Sequence, residues 1–149
     1  PQRILTAAEI LHYYFTGAKD TPLNFKLKER MNLMLFIEYP KCSTCQKAKR
    51  WLDENGIAYT DRHIKEQNPT YEELKAWYEK SGLPLKKFFN TSGMLYKSMG
   101  LKEKLPQMSE EEQLQLLATD GMLVKRPVVV TDSCVLTGFR EKEWEEKLK

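Results

Sequence analysis

The stretch Tyr39-Pro40-Lys41-Cys42-Ser43-Thr44-Cys45-Gln46-Lys47-Ala48 constrains this chain more than any other part of it. It sets a Cys-x-x-Cys pair between an apolar run at residues 33–37 and a helix-like segment over 46–55. Two thiols at that spacing on the first turn of a helix can close a small disulfide. The free N–H groups and dipole of a helix N-terminus also favour a thiolate there. A zinc site would need a second Cys/His pair, and the rest of the chain holds only Cys134, His12 and His63, none paired at ligand spacing. The pattern points to redox chemistry and assigns no metal ligand. Cys42, at the loop end and nearer solvent, reads as the nucleophile. Cys45, one turn in on the core-facing side, is placed to resolve a mixed disulfide. Lys41 and Lys47 add positive charge nearby, although each also reads as an exposed solvating residue.

The setting of the pair fits a reducing compartment. Three cysteines cannot all pair within one chain, which argues against a disulfide-stapled secreted scaffold. The first residues show neither an apolar signal core nor a small-residue cleavage site, so the expected location is the cytoplasm. No apolar run approaches the length of a membrane span. Of the 24 Lys/Arg and 21 Asp/Glu, residues 1–33 hold five and three, leaving 19 against 18 in residues 34–149. A body so nearly neutral lacks the basic balance of a nucleic-acid-binding domain, and no direct nucleic-acid partner is expected. With 149 residues the chain is long enough to bury a real core.

Hydrophobic periodicity divides the chain. Residues 1–33 carry a capping-box-like Thr6-Ala7-Ala8-Glu9 before Ile10, Leu11, Tyr14 and Phe15, then a loop and a charge run; they read as a partly helical or flexible extension outside the main domain. From 34 to 149 the order is regular. A strand at 35–39 precedes the cysteine loop, a helix over 46–55 ends at Gly56, and a second strand covers 57–64. Capping boxes at Thr70–Glu73 and Ser109–Glu112 open two helices, with a short helix at 85–89 and a packed apolar segment at 94–101 between them. A strand signal over 122–130, with Pro127 inside it, turns at Asp132-Ser133 into a hairpin partner at 134–138, and a helix over 141–149 closes the chain. This order predicts an α/β, thioredoxin-like mixed sheet: βαβ, a helical insert, a β-hairpin and a C-terminal helix.

Arg126-Pro127 is the second informative feature. In such a fold the loop before the third strand faces the redox turn, and a proline there is a candidate for a cis peptide. The backbone beside Pro127 would then be open to a bound thiol substrate. Arg126 would face Cys42, lowering its pKa or holding an anion by forked hydrogen bonds. Arg140, after Gly138-Phe139, and Lys86 with Lys87, after Pro84-Leu85, are candidates for the rim of the same pocket, while a solvated surface position accounts better for each on the sequence pattern. His63 reads as structural and Cys134 as a small buried hydrophobe.

Taken together, the Cys42–Cys45 stretch, Arg126-Pro127, the segment Leu85-Lys-Lys-Phe-Phe-Asn-Thr-Ser-Gly93, the Asp120-Gly121-Met122 turn and Gly138-Phe139 resemble the arsenate reductase/Spx family over about residues 34–149. The resemblance implies that Cys42 matches the cysteine that attacks arsenate and Arg126 the arginine before a cis proline. A second anion-cradling arginine falls at about Lys86, where a lysine replaces the planar fork with a point charge, and the last falls near Arg140. Glutaredoxin-coupled members lack a cysteine at the place of Cys45 and borrow glutathione. A second thiol here implies a dithiol–disulfide cycle with Cys45 resolving and Pro127 and Arg140 helping to bind substrate. The expected function is an arsenate reductase-like thiol–disulfide oxidoreductase, with no bound cofactor and with glutathione, glutaredoxin or thioredoxin as reductant. The alternative that the resemblance implies is a redox-sensing, Spx-like regulator that binds the RNA polymerase α subunit and uses the same disulfide as a switch.

Overall fold

The computed structural model describes residues 34–149. The expectations for residues 1–33, the helix around Ile10–Phe15 among them, lie outside the described residues. Four short strands form one mixed sheet: β1 (Leu35–Glu38), β2 (Thr60–His63), β3 (Val128–Val130) and β4 (Val135–Thr137), in the order β2-β1-β3-β4. β1 and β2 are parallel, with Phe36 opposite Asp61, and are joined through helix α1 (Ser43–Glu54). β3 runs antiparallel to β1, with Phe36 opposite Val129, and turns back into β4. The predicted thioredoxin-like sheet is present.

β1 and β3 occupy the centre of the sheet, and both of their faces are covered, so they read in sequence as unbroken apolar runs. Ile37 and Val128 face a core with Leu74, Phe88, Leu101, Leu117 and Leu123. Phe36 and Val129 face the other side with Ala48, Leu52, Leu136 and Trp144. The first core is roofed by the insert between β2 and β3: α2 (Tyr71–Ser81), a 3-10 turn at Leu85–Phe88, α3 (Met94–Ser98), α4 (Leu101–Lys104), a second 3-10 turn at Leu105–Gln107 and α5 (Glu110–Leu117). The second is roofed by α1 and α6 (Glu141–Leu148). The capping boxes read at Thr70 and Ser109 are both formed, each hydroxyl accepting the N–H of the glutamate three residues on.

Three boundaries differ from the sequence reading. α1 begins at Ser43, not Gln46, because the Gln46 N–H already bonds the Cys42 carbonyl at 3.0 Å. Cys42 is thus the N-cap and Cys45 lies inside the first turn. β2 begins at Thr60, not Ile57. The Ile57 N–H reaches back to the Leu52 carbonyl (3.0 Å) and the Gly56 N–H to that of Asp53 (3.2 Å), a Schellman motif with Gly56 at φ +65°. Ile57 also packs with Leu52 in the second core, so it is spent on closing the helix. The long strand expected over 122–130 is a 3-10 turn at Gly121–Leu123, opened by the Asp120 carboxylate accepting the Met122 N–H (2.8 Å), and then the short β3. Pro127 has no N–H for a ladder, and the strand begins just after it.

Candidate functional site

The C-terminal end of β1 and the entry to antiparallel β3 lie side by side, which brings two distant segments of the chain to one edge of the sheet. The first is the start of α1. The N-cap is the residue whose side chain meets the orphan N–H groups of the first turn, and here it carries a thiol. Cys42 is half-buried. Burial opposes its ionisation, yet the Cys45 N–H, the Arg126 guanidinium, the Cys45 thiol and the Thr44 N–H together outweigh it and hold the Cys42 pKa below the ordinary thiol value. The neutral thiol makes no geometric cap hydrogen bond, so these groups act on the charged form.

Cys45 is the opposite case. It is fully buried, and burial leads a set of causes, with the neighbouring Cys42 and Glu38 also contributing, that push its thiol up to about 12 despite a bond from the Tyr39 backbone. Both cysteines are free thiols, so the site is in its reduced form. Two thiols three residues apart are thereby split into an acidic outer one and a protonated inner one.

The second segment is Lys125-Arg126-Pro127. The Arg126–Pro127 peptide is cis. The Arg126 guanidinium stacks over the Tyr39 ring at 5.1 Å and lies 3.9 Å from the Met122 sulfur. No carboxylate pairs with it among the described residues, which leaves its charge available to Cys42. Pro127 itself is buried, and its carbonyl accepts the Gly138 N–H at 2.8 Å. That bond leads the chain through Gly138, at φ +75°, to Phe139 and Arg140, the N-cap of α6.

These elements enclose a cavity of about 600 Å³. Its walls bring together Cys42, Arg126, Lys86, Lys87 and Arg140, five of the residues singled out from sequence. They also include Lys125, Asn90, Thr91, Ser92 and Thr137, which sequence reasoning did not assign to the site. The reason is the short ladder in which Phe89 bridges Val124 and the Lys125 N–H bonds the Phe88 carbonyl (2.8 Å). It folds two segments read as a separate helix and a strand into one pocket wall. His63 stands apart, its Nδ1 accepting the N–H groups of Lys65 and Glu66 (3.2 and 3.1 Å). Cys134 is half-buried in the β3–β4 turn, 3.3 Å from the Thr131 hydroxyl, rather than fully buried as expected.

Sequence reasoning also passed over Glu38, which closes β1 at 4% exposure and is the one buried charged side chain among the described residues. Burial and the adjacent Asp61 raise its pKa, while Lys49, at 3.6 Å, opposes them. Lys49 is one helical turn beyond Cys45 on α1, so this ion cluster lies under the inner thiol. An acid inside the apolar run Leu35-Phe36-Ile37-Glu38-Tyr39 was the available signal.

Comparison with known proteins places this geometry. The model of the ArsC family matches residues 37–147. The chain is 60% identical over 113 residues to the uncharacterized protein YusI of Bacillus subtilis, covering 76% of this chain and 96% of that protein. At greater distance, it is 29% identical over 110 residues to the regulatory protein MgsR of the same organism, covering 74% and 86%. A crystal structure of an ArsC family related protein from Bacteroides fragilis superposes with a TM-score of 0.76 at 66% identity, over 78% of this chain and 97% of that one. A family match across nearly the whole described region, together with a relative 60% identical, shows that this chain belongs to the ArsC family.

Proposed function

We propose that the protein is a thiol–disulfide oxidoreductase in which Cys42 attacks and Cys45 resolves. The observation that carries this reading is the division of the two thiols: Cys42 favoured as thiolate in an open cavity, Cys45 protonated and buried one turn behind it. In the first step the Cys42 thiolate attacks one sulfur of a disulfide RS–SR′, and R′S⁻ departs and takes a proton from water. In the second, Cys45 gives up its proton as its sulfur attacks that of Cys42, which releases RS⁻ and leaves the Cys42–Cys45 disulfide. Two electrons pass to the substrate, and an external dithiol of the thioredoxin or glutaredoxin class restores the enzyme. Burial, the first cause that holds the Cys45 thiol up, persists in the mixed disulfide, so the second step is expected to be the slower at neutral pH.

The test is turnover of bis(2-hydroxyethyl) disulfide and, in parallel, arsenate, with NADPH oxidation followed through a thioredoxin or glutaredoxin system. Cys42→Ser should abolish turnover, and Cys45→Ser should stop at a mixed disulfide visible by mass spectrometry. No turnover with either substrate would overturn the enzyme reading. The similarity to a regulatory protein at 29% identity favours one second reading, a cytoplasmic redox-sensing regulator. Retention of the RNA polymerase α subunit by the oxidised but not the reduced protein, without turnover, would put that reading first.

A further inference from the structure

We propose that the cavity takes small disulfides bearing carboxylates, with Lys87, Lys125 and Arg140 seating the charged arms while a substrate sulfur meets Cys42. The proposal rests on the thiol–disulfide reading above and names its substrate class. Five cations line the cavity, Lys86, Lys87, Lys125, Arg126 and Arg140, and no aspartate or glutamate does. Composition does not explain this, since residues 34–149 are almost neutral.

Nor, among the described residues, are these charges neutralised by neighbours. Among the described residues, Lys49, Arg62 and Lys149 have carboxylates within 4 Å, and none of the five cavity cations does. Arg126 is engaged by the Cys42 thiolate and the Tyr39 ring. Among the described residues, the remaining four line the cavity with no carboxylate within 4 Å. Lys125 is also held in place: a Cβ on Gly138 would meet its Cε at 3.2 Å, so the lysine stem lies against the bare glycine. A side chain at position 138 would push that stem away.

Size separates the candidates for the anion. A four-oxygen anion needs on the order of 100 Å³, judged against the roughly 30 Å³ that a water occupies. The cavity, at about 600 Å³, has the volume of a site for an organic ligand. A thiolate in one wall and these cations around the rest define such a ligand: an organic disulfide with negative arms. The reaction balances without a further reagent in one turnover, the reduced dithiol and RS–SR giving the Cys42–Cys45 disulfide and two RSH.

The experiment is a single turnover of the reduced protein with 3,3′-dithiodipropionate, bis(2-hydroxyethyl) disulfide and cystamine, quenched with acid and read as protein disulfide by mass. Each second-order rate constant is divided by that of the same disulfide with free dithiothreitol, which removes differences in leaving-group pKa. The dianion is expected to exceed the neutral disulfide by at least about tenfold, with cystamine slowest, as for a cleft lined by one sign of charge. That preference should shrink several-fold in 1 M salt, where the Debye length is about 3 Å. A Lys87→Gln/Lys125→Gln variant should bring the dianion-to-neutral ratio close to one, and Lys97→Gln, exposed and outside the cavity, should leave it intact. Equal rates for the three, or a ratio untouched by the double variant, would overturn the proposal alone. Arsenate oxidising the protein faster than dithiodipropionate would also overturn it. Failure of all three disulfides would overturn the thiol–disulfide reading and the proposal with it.

Discussion

At the scale of single residues, the two cysteines are set apart by position and by neighbours. Cys42 caps a helix and Cys45 is sealed beneath it. Alkylation by iodoacetamide, followed against pH, is expected to show Cys42 titrating below the ordinary thiol value of about 8.5, with Cys45 unlabelled until strongly alkaline pH. Arg126→Ala should shift the Cys42 midpoint upward and slow its labelling at pH 7 roughly three- to tenfold, since a cation beside the thiolate is removed. Gly121 is constrained differently. A Cβ there would sit 1.9 Å from the Ile64 carbonyl oxygen, which is backbone, and 2.8 Å from Oδ1 of Asn68, whose amide is fixed by Nδ2 donating to the Pro69 and Ala118 carbonyls. Gly121→Ala should destabilise the protein by about 3 kcal/mol or more in urea unfolding, because neither neighbour can yield without moving the exit of β2. Cys42, Cys45, Arg126 and Arg140 were legible in the sequence because their chemistry marks them. Lys125 and Glu38 were not: one reaches the cavity through a two-residue ladder, and the other is buried by a strand end whose register no local pattern declares.

At the scale of elements, β2 and α2 are tied by a forked ion pair. Arg62 Nη1 and Nη2 donate to the two carboxylate oxygens of Glu73 at 2.6 and 2.9 Å, and the same carboxylate closes the capping box by accepting the Thr70 N–H. Arg62, first among the causes, holds the Glu73 pKa below the usual carboxylate value. A depressed pKa contributes stability that is present above the unfolded-state pKa and lost as pH falls through the folded one. Glu73→Gln should therefore cost about 1 kcal/mol at pH 7, discounted for the partial exposure of the pair, and the difference from wild type should fade below about pH 4. Chemical denaturation at a series of pH values measures this. Both capping boxes were readable because each is complete within four residues. The start of β2 was not, since Ile57 suits a strand by itself and is claimed by the C-terminus of α1 through bonds five residues back.

At the scale of the whole molecule, two cores flank one sheet within the described residues 34–149. The family match at 37–147 falls in the same region. A chain comprising residues 34–149 is therefore expected to unfold within a few degrees of the full chain and to keep its Cys42 labelling profile. A melting temperature lowered by ten degrees or more would refute this. The order of elements along the chain was recoverable because β1 and β3 are covered on both faces and so stand out as apolar runs. The cavity was legible only in part, because its walls come from four separate stretches of chain. The distance between Cys42 and Arg126 along the chain has a consequence in time. During synthesis the cysteine pair leaves the ribosome first, and its arginine follows 84 residues later, on the order of ten seconds at 5–20 residues per second. Until β3 has threaded in beside β1, Cys42 lacks the Arg126 guanidinium, and the groups that lower its pKa are confined to its own helix turn. The nascent chain is thus expected to carry a less acidic nucleophile, which gains its full reactivity only once β3 is in place.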